Sequence, residues 1–336
     1  MKKNKAIITW LLSGCALIFI MVVVGGITRL TNSGLSMVNW SLFMGAIPPL
    51  NDIQWQETFE LYKQSPEFKK INYDYSLSDF KYIFFWEYLH RMIGRLLGLV
   101  FIIPFIYFLF KKMLSKKLLI QSLLLFFLGA LQGAIGWWMV KSGLVDRPDV
   151  SHFRLAIHLT TAFITCAFCL WVALPLIFND KIKGDKKIFN SILTLGALVL
   201  IQIVYGAFVA GLNAGIGFNT WPKMNGEWVP QAVYSLSPFW KNFVHGPYGI
   251  QFFHRTFAFI IVAFIIYICK KGISKSISPQ HNKALYMLLS IILLQTTIGI
   301  FTIVFMVPFS LALIHQLIAF LMLMSIVYCL FIFKEN

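Results

Sequence analysis

The sequence contains few charged residues, and those it has are biased toward one sign. Only 12% of the 336 residues are charged, while 58% are hydrophobic. Acidic residues are especially scarce, with 13 Asp and Glu against 29 Lys and Arg. A soluble globular domain carries roughly 25% charged residues, so this composition excludes that class and indicates a polytopic membrane protein.

The formal charge of +16 does not indicate nucleic-acid binding, because of where the lysines lie. They are concentrated in both termini and in three short connections between apolar segments, including Lys111–Lys117 and Lys181–Lys187. Basic residues in short loops mark the cytoplasmic side of a membrane protein. We therefore expect membrane lipid around the chain, both termini in the cytoplasm, and no nucleic-acid partner.

Cysteine is absent from every predicted extramembrane loop. All five lie within apolar segments, at Cys15, Cys166, Cys169, Cys269 and Cys329. A loop disulfide within this chain is therefore excluded. The Cys166-x-x-Cys169 spacing resembles a redox pair, but its helix otherwise offers only apolar and small residues. We interpret both thiols as small buried hydrophobic groups.

Eight apolar segments are long enough to cross a bilayer, which takes about 20 residues. Their approximate bounds are 6–27, 82–110, 118–140, 153–178, 188–212, 249–269, 284–306 and 309–333. Two long loops lie on the side opposite the lysines, the first over residues 28–81 and the second over residues 213–248. Both are rich in aromatic residues, which argues against disorder, and the first contains a predicted short helix after Asp52.

The chain contains an internal repeat. The motif Asn32–Gly34 in the first long loop recurs as Asn213–Gly215 in the second, and a tryptophan follows at the same distance, as Trp40 or Trp221. Further matches are His90-Arg91 with His254-Arg255, Leu131–Gly136 with Leu294–Gly299, and Leu155–His158 with Leu311–His315. Four spans per copy insert both copies in the same direction. We expect an all-α fold of two tandem four-helix bundles, residues 1–180 and 181–336, related by a pseudo-twofold axis along the membrane normal.

Four histidines lie at a similar depth in the second, fourth, sixth and eighth segments, at His90, His158, His254 and His315. The second and fourth helices of an up-and-down bundle are diagonal neighbours, so each pair can face across a core. Imidazoles on both faces of a heme iron fit this arrangement, whereas zinc favours a fourth ligand and tighter clustering. The alternative is that each histidine bonds to another helix. Three further histidines, which we interpret as solvated, are His152, His245 and His281.

Charged residues next to these histidines predict further roles. Arg91 and Arg255 each follow one histidine directly and can bind heme propionates, or instead anchor helix ends near the interface. Glu87 lies three residues before the first histidine, where the second copy has Gln251. A carboxylate can exchange a proton beside a reacting porphyrin and an amide cannot. We therefore expect a reactive N-terminal half and an electron-transferring C-terminal half, unless Glu87 only pairs with Arg91.

Glycines at helical spacing accompany the histidines, at Gly94, Gly98, Gly129, Gly133 and Gly136. Small residues allow membrane helices to pack closely. They would equally leave clearance for a heme, and the spacing does not separate the two explanations.

The chain resembles the heme A synthase family along essentially its whole length. The features that carry the resemblance are the E-Y-L-H-R motif at Glu87–Arg91, the Asn-x-Gly loops, the eight spans, and the four histidines in a repeat. The resemblance implies oxidation of the C8 methyl group of heme O to a formyl group by successive hydroxylations, giving heme A for cytochrome oxidase. It implies that Glu87 is the catalytic acid, that His90 and His158 face the substrate heme iron, and that His254 and His315 ligate heme B.

The resemblance also implies a location and partners. These are a bacterial inner membrane, an electron-transfer partner, a farnesyltransferase that produces heme O, and cytochrome oxidase assembly. Some bacterial members carry a cysteine pair in the first long loop, which this chain lacks. It is thus similar to the cysteine-free branch that includes mitochondrial and proteobacterial members.

Two other functions remain open from the residues alone. One is a bis-histidine membrane cytochrome b that passes electrons to or from quinone without altering its heme. The other is a transporter built from parallel repeats, which would place polar residues around a midplane cavity. The ionisable residues of this chain instead cluster near one surface.

Overall fold

The computed structural model describes residues 2–38, 44–145, 148–178, 184–275 and 278–335. Within these ranges the chain is helical and contains no β-strand, as predicted. Trp40, Lys181 and Lys183, on which part of the sequence analysis depends, lie outside the described residues. The ten α-helices of these ranges are α1 (Lys2–Leu30), α2 (Asp52–Lys63), α3 (Pro66–Lys70), α4 (Leu77–Phe110), α5 (Lys116–Lys141), α6 (His152–Ile177), α7 (Lys186–Gly211), α8 (Pro247–Ser274), α9 (Pro279–Val304) and α10 (Phe309–Phe333).

All of these helices except α2 and α3 are long and apolar enough to span a membrane, which confirms the eight predicted spans. Several begin earlier than their apolar runs because polar caps set the first turn. In α4, Ser76 and Asp79 form a capping box, in which each side chain accepts a hydrogen bond from the other's backbone N–H. Such a box satisfies orphan N–H groups before the hydrophobic stretch begins. Hydropathy alone therefore underestimates the length of the helix at its N-terminal end.

The chain divides into two compact units, Met1–Thr165 and Cys166–Asn336, with the boundary inside α6. In the second unit α7, α8, α9 and α10 form a closed ring, each packed against the next, with α10 returning to α7. In the first unit α1 packs along α4, and α4 also contacts α5. The predicted functional halves, 1–180 and 181–336, and their pseudo-twofold relation stay predictions.

The two Asn-x-Gly motifs end spanning helices in the same way. Asn32 and Asn213 both have φ of 50°, a left-handed conformation that asparagine tolerates better than most residues. The next residue in each motif returns its N–H to the helix, from Ser33 to the Thr28 carbonyl and from Ala214 to the Val209 carbonyl, at 2.9 Å each. The repeat is thus present in the backbone as well as in the sequence.

The first long loop folds onto the start of α4. Helix α2 forms where the sequence predicts it, capped by Asn51, whose side chain accepts from the N–H of Gln54 at 2.9 Å. Six buried side chains pack together, at Met37, Phe59, Tyr62, Phe80, Ile83 and Phe84. We call these six residues the loop cluster. Aromatic pairs of this kind contribute beyond their buried area, so the loop is a packed structure.

A buried carboxyl group lies within this loop. Glu67, on α3, is only 4% exposed, and its Oε2 accepts a hydrogen bond of 3.0 Å from the Tyr62 hydroxyl. Asn72 donates in turn to that hydroxyl at 2.8 Å. Burial raises the pKa of Glu67 to about 8, with Glu87 adding to the rise and the Tyr62 hydrogen bond opposing it.

This raised pKa predicts a pH-dependent loop. Glu67 holds its proton up to about pH 8 in the folded loop but loses it near 4.5 when exposed, so the folded form binds one proton more between these values. Loop stability should therefore fall as pH rises through that window and level off above it. Glu67→Gln should abolish the decline, measured as the rate of limited proteolysis between α2 and α4.

Glu57→Gln, at an exposed position of α2, is the matched control and should keep the wild-type slope. Cleavage rates are normalised at each pH to an unstructured substrate. A wild-type loop with no pH dependence, or an unchanged slope in Glu67→Gln, would contradict the assignment.

Candidate functional site

The second unit brings the rings of His254 and His315 close together in an edge-to-face arrangement. Their ring centroids are 6.4 Å apart, with an angle of 80° between the ring planes, and the Nδ1 atom of each is buried without a hydrogen-bond partner. A metal–imidazole bond is about 2 Å long. Two such bonds, together with the distance from the bonding nitrogen to the centre of each ring, account for the separation of the ring centroids. The pair therefore fits a heme iron held between two imidazoles.

Two glutamines line the same pair. Gln202 on α7 donates to the backbone carbonyl of His254 at 2.9 Å, and the amide nitrogen of Gln295 on α9 lies 3.3 Å from Nε2 of His315. The Oε1 atoms of both glutamines are buried without a partner. Buried polar groups without partners are rare in folded proteins. Their concentration around the histidine pair is consistent with a site for a ligand that has polar groups.

Arg255 joins this site to the second long loop. Its Nη2 donates to the carbonyl oxygens of Thr220, Pro222 and Lys223 at 2.8, 3.2 and 3.4 Å. Its Nη1 is buried and has no partner. A guanidinium held on one side by the backbone and open on the other can bind a carboxylate, as the predicted role toward a propionate requires.

The first unit holds His90 on α4 and His158 on α6. The two are close enough to interact electrostatically, and Nδ1 of His158 is buried without a partner. Near them Gln132 donates to the Thr161 hydroxyl at 2.5 Å. No group of three or more His, Cys, Asp or Glu that could hold a metal ion occurs in the described part of the chain.

Glu87 is held by three donors from the first long loop and its own helix. Its carboxylate is 3% exposed. Oε2 accepts from the Ser36 hydroxyl at 2.7 Å and from the Met37 N–H at 2.8 Å, while Oε1 accepts from Arg91 Nη2 at 2.5 Å. Arg91 also donates to the Met37 carbonyl at 3.2 Å. The expected pair of Glu87 and Arg91 therefore forms, and the assignment of Arg91 to a propionate stays a prediction.

At the equivalent position in the second unit, the side chain donates a hydrogen bond to the loop, whereas Glu87 accepts hydrogen bonds from the loop. Gln251, 1% exposed, donates from its amide to the Phe218 carbonyl at 2.9 Å, and its Oε1 has no partner. Met37 and Phe218 each follow their left-handed asparagine by five residues. The same point of the loop thus offers an N–H to the carboxylate in one copy and a C=O to the amide in the other.

Ser36 is a site residue that sequence reasoning missed. Its counterpart in the repeat is Gly217, four residues after Asn213 as Ser36 is after Asn32. The serine hydroxyl therefore accompanies Glu87 and is absent beside Gln251. Extending the comparison of the two copies through the loops would have revealed this second difference.

The prediction that three remaining histidines are solvated is wrong for two of them. His281 is 1% exposed and packs its ring on Phe333, with Nδ1 2.6 Å from the Ser278 hydroxyl. His152 is also buried, and only His245 is exposed. Both buried residues lie in the first turn of a helix, α9 or α6, and are packed there because each helix begins before its apolar run.

None of the five cysteines, all described, forms a disulfide, and Cys166 and Cys169 are buried as predicted.

Sequence comparisons relate the chain to known proteins over its whole length. Residues 8–327 match the family described as cytochrome oxidase assembly protein. The chain is 50% identical to the heme A synthase of Flavobacterium psychrophilum, with all of both chains covered. It is 49% identical to that of Flavobacterium johnsoniae over 98% of each chain, and 44% identical to that of Nitrosospira multiformis over 93% of this chain and 89% of the relative.

Proposed function

The chain belongs to the cytochrome oxidase assembly protein family, and we propose that its two histidine pairs divide the work of a heme A synthase between two halves. The enzyme is an oxidoreductase that converts heme O to heme A. In this proposal the N-terminal half takes heme O as substrate, facing His90 and His158. The C-terminal half holds heme B between His254 and His315.

The environment of Glu87 carries the proposal. Oxidation of the C8 methyl group of heme O to a formyl group removes four electrons from that carbon and adds one oxygen atom, so protons must leave the site. Glu87 lies one helical turn before His90 and can accept them. A carboxylate has about four acceptor positions, and the three donors occupy three of them. One position on Oε1 remains for a proton from the substrate.

The surrounding residues hold this carboxylate in place. Ser36 and Met37 fix Oε2, and Arg91 fixes Oε1 while compensating its charge. Met37 belongs to the loop cluster, and Glu87 is shielded from solvent by its burial. A positioned group shielded from water transfers protons and stabilises developing charge more effectively than a solvated one.

In the C-terminal half, bound heme B would supply one-electron transfer. His254 and His315 would hold its iron, and Arg255 Nη1 would bind a propionate. A membrane cytochrome b that exchanges electrons with quinone is the second candidate function. It accounts for this half but gives no role to Glu87 and Ser36, whose positions are occupied there by Gln251 and Gly217.

The chain is a multi-pass membrane protein. We place it in the bacterial inner membrane with both termini cytoplasmic, because the lysine-rich connections all lie on one side of the eight spans. The partners that follow are a farnesyltransferase that produces heme O, an electron-transfer partner, and the assembly of cytochrome oxidase.

Replacing the carboxylate tests the catalytic assignment. Glu87→Gln keeps the size and reach of the side chain but removes the group that accepts the proton. Conversion of heme O should fall by about 10²-fold or more, as for loss of a positioned acid or base, with heme O or a hydroxylated intermediate accumulating. The measurement is mass spectrometry of extracted hemes, and heme B content should be unchanged.

Gln251→Glu is the reciprocal control. The substitution places a carboxylate against the Phe218 carbonyl, where that carboxylate would have no hydrogen-bond donor. It should therefore lower the free energy of unfolding by about 1–3 kcal/mol without changing the product. Near-normal heme A formation by Glu87→Gln would mean that the carboxylate serves only as a partner for Arg91.

Replacing either C-terminal histidine tests the heme B assignment. His254→Ala or His315→Ala should remove the six-coordinate low-spin absorption of heme B, because the iron loses one imidazole. His245→Ala, at an exposed loop position, should leave the spectrum unchanged. An intact heme B spectrum in either ligand variant would show that this half binds heme differently.

Cysteine labelling tests the orientation. A single cysteine replacing Lys275, at the connection between α8 and α9, should resist impermeant maleimide in intact cells and react after permeabilisation. A cysteine at exposed Trp228 in the second long loop should react in intact cells. The reverse labelling pattern would show that the orientation is opposite to the one proposed, with the histidine pairs toward the cytoplasmic side of the membrane.

A further inference from the structure

Each of the four histidines packs directly against a glycine of the preceding spanning helix. A Cβ atom built on that glycine would lie 3.1 Å from the ring for Gly25 and His90, and 3.1 Å for Gly136 and His158. The distances are 3.2 Å for Gly206 and His254 and 2.8 Å for Gly299 and His315. Real Cβ atoms seldom make contacts this short, so a side chain at these glycines would shift the imidazole by at least a few tenths of an ångström.

These glycines share a register in the repeat. Gly25 and Gly206 each lie seven residues before the left-handed asparagine that follows their helix. Gly136 and Gly299 occupy the same position of the matched segments Leu131–Gly136 and Leu294–Gly299. In that second pair of segments, Gly133 of the first copy becomes Thr296, yet the glycine facing the histidine is present in both.

Other helical glycines do not face a histidine. A Cβ atom at Gly98, Gly129 or Gly133 would meet no atom within 4 Å beyond its own helix backbone, whereas Gly196, Gly249 and Gly272 contact groups other than imidazole. Gly133 lies on α5 only one turn from Gly136, so close helix packing does not explain why Gly136 faces a ring. Glycine inside a helix is destabilising relative to alanine. A glycine opposite every one of the four histidines therefore indicates a requirement of the ring itself.

We propose that Gly136, Gly206 and Gly299 are positioning residues that set the orientation of the His158, His254 and His315 imidazoles toward iron. This rests on the heme assignments of the proposed function. Each glycine lets the imidazole ring lie against the backbone of the preceding helix. That backbone prevents the ring from rotating in its direction. The ring edge is thereby aimed along one direction before heme binds. At these three pairs the ring presents Cε1 to the glycine, with both nitrogens further away. At His90 the ring presents Nε2 to Gly25, so the proposal does not include that pair.

Alanine substitution tests the role in the C-terminal half, using the purified full-length protein with heme B. Gly206→Ala and Gly299→Ala should each weaken heme B binding by about tenfold or more, the range for groups that orient a metal ligand. The residual heme should lose low-spin absorption. Gly299→Ala should have the larger effect, since its Cβ would approach the ring more closely.

The same substitution in the N-terminal half should spare heme B. Gly136→Ala should retain the heme B spectrum while reducing the heme O that copurifies, measured by mass spectrometry of extracted hemes. Gly133→Ala is the matched control on α5 and should leave both hemes and the thermal stability at wild-type levels or better. A Gly136→Ala variant that behaves like Gly133→Ala would overturn the proposal for this half.

A double variant separates ring orientation from helix packing. If Gly299→Ala acts only through the ring, adding it to His315→Ala should cause no further loss of thermal stability. A further loss would show that Gly299 serves helix packing and would overturn the proposal. If His315→Ala itself keeps heme B, the ligand assignment fails. If His315→Ala loses heme B while Gly299→Ala keeps it with an unchanged spectrum, the positioning role alone fails.

Discussion

The burial of the Glu87 carboxylate is the constraint on which the N-terminal half depends. An ionisable group within a membrane-spanning helix is costly unless its partners compensate it. Here the compensation comes from Ser36 and Met37 of the first long loop and from Arg91 on the same helix. The loop must therefore fold onto α4 before the carboxylate is stable there. The loop cluster supplies that fold, so the aromatic content of the loop and the chemistry of the site are physically linked.

Duplication provides the same frame twice, and a few local differences separate the two copies. Both copies end a spanning helix with a left-handed asparagine and return the loop over a polar residue one turn before a histidine. In one copy the loop offers donors to a carboxylate, and in the other it offers a carbonyl to an amide. In the proposed function the shared elements would serve iron binding in both halves, whereas the differences would confine proton chemistry to one.

The sequence patterns predicted the spans, the loop helix α2, the pairing of His254 with His315, and the contact between Glu87 and Arg91. These depend on hydropathy or on short helical spacing, which are local properties. Ser36, Glu67 and the glycines facing the histidines depend on contacts between distant segments, which periodicity does not record. His281 was misassigned because the Ser278 cap begins α9 before its apolar run, and His152 because it is the first residue of α6.

The division between a heme O half and a heme B half is tested most directly by the hemes that the purified protein carries. Mass spectrometry of hemes extracted from the wild-type protein should find heme B together with heme O or heme A. The same extraction from His158→Ala should find heme B alone, since only the substrate side loses an imidazole. Heme B as the sole heme of the wild-type protein, or equal loss of both hemes from His158→Ala, would contradict the account.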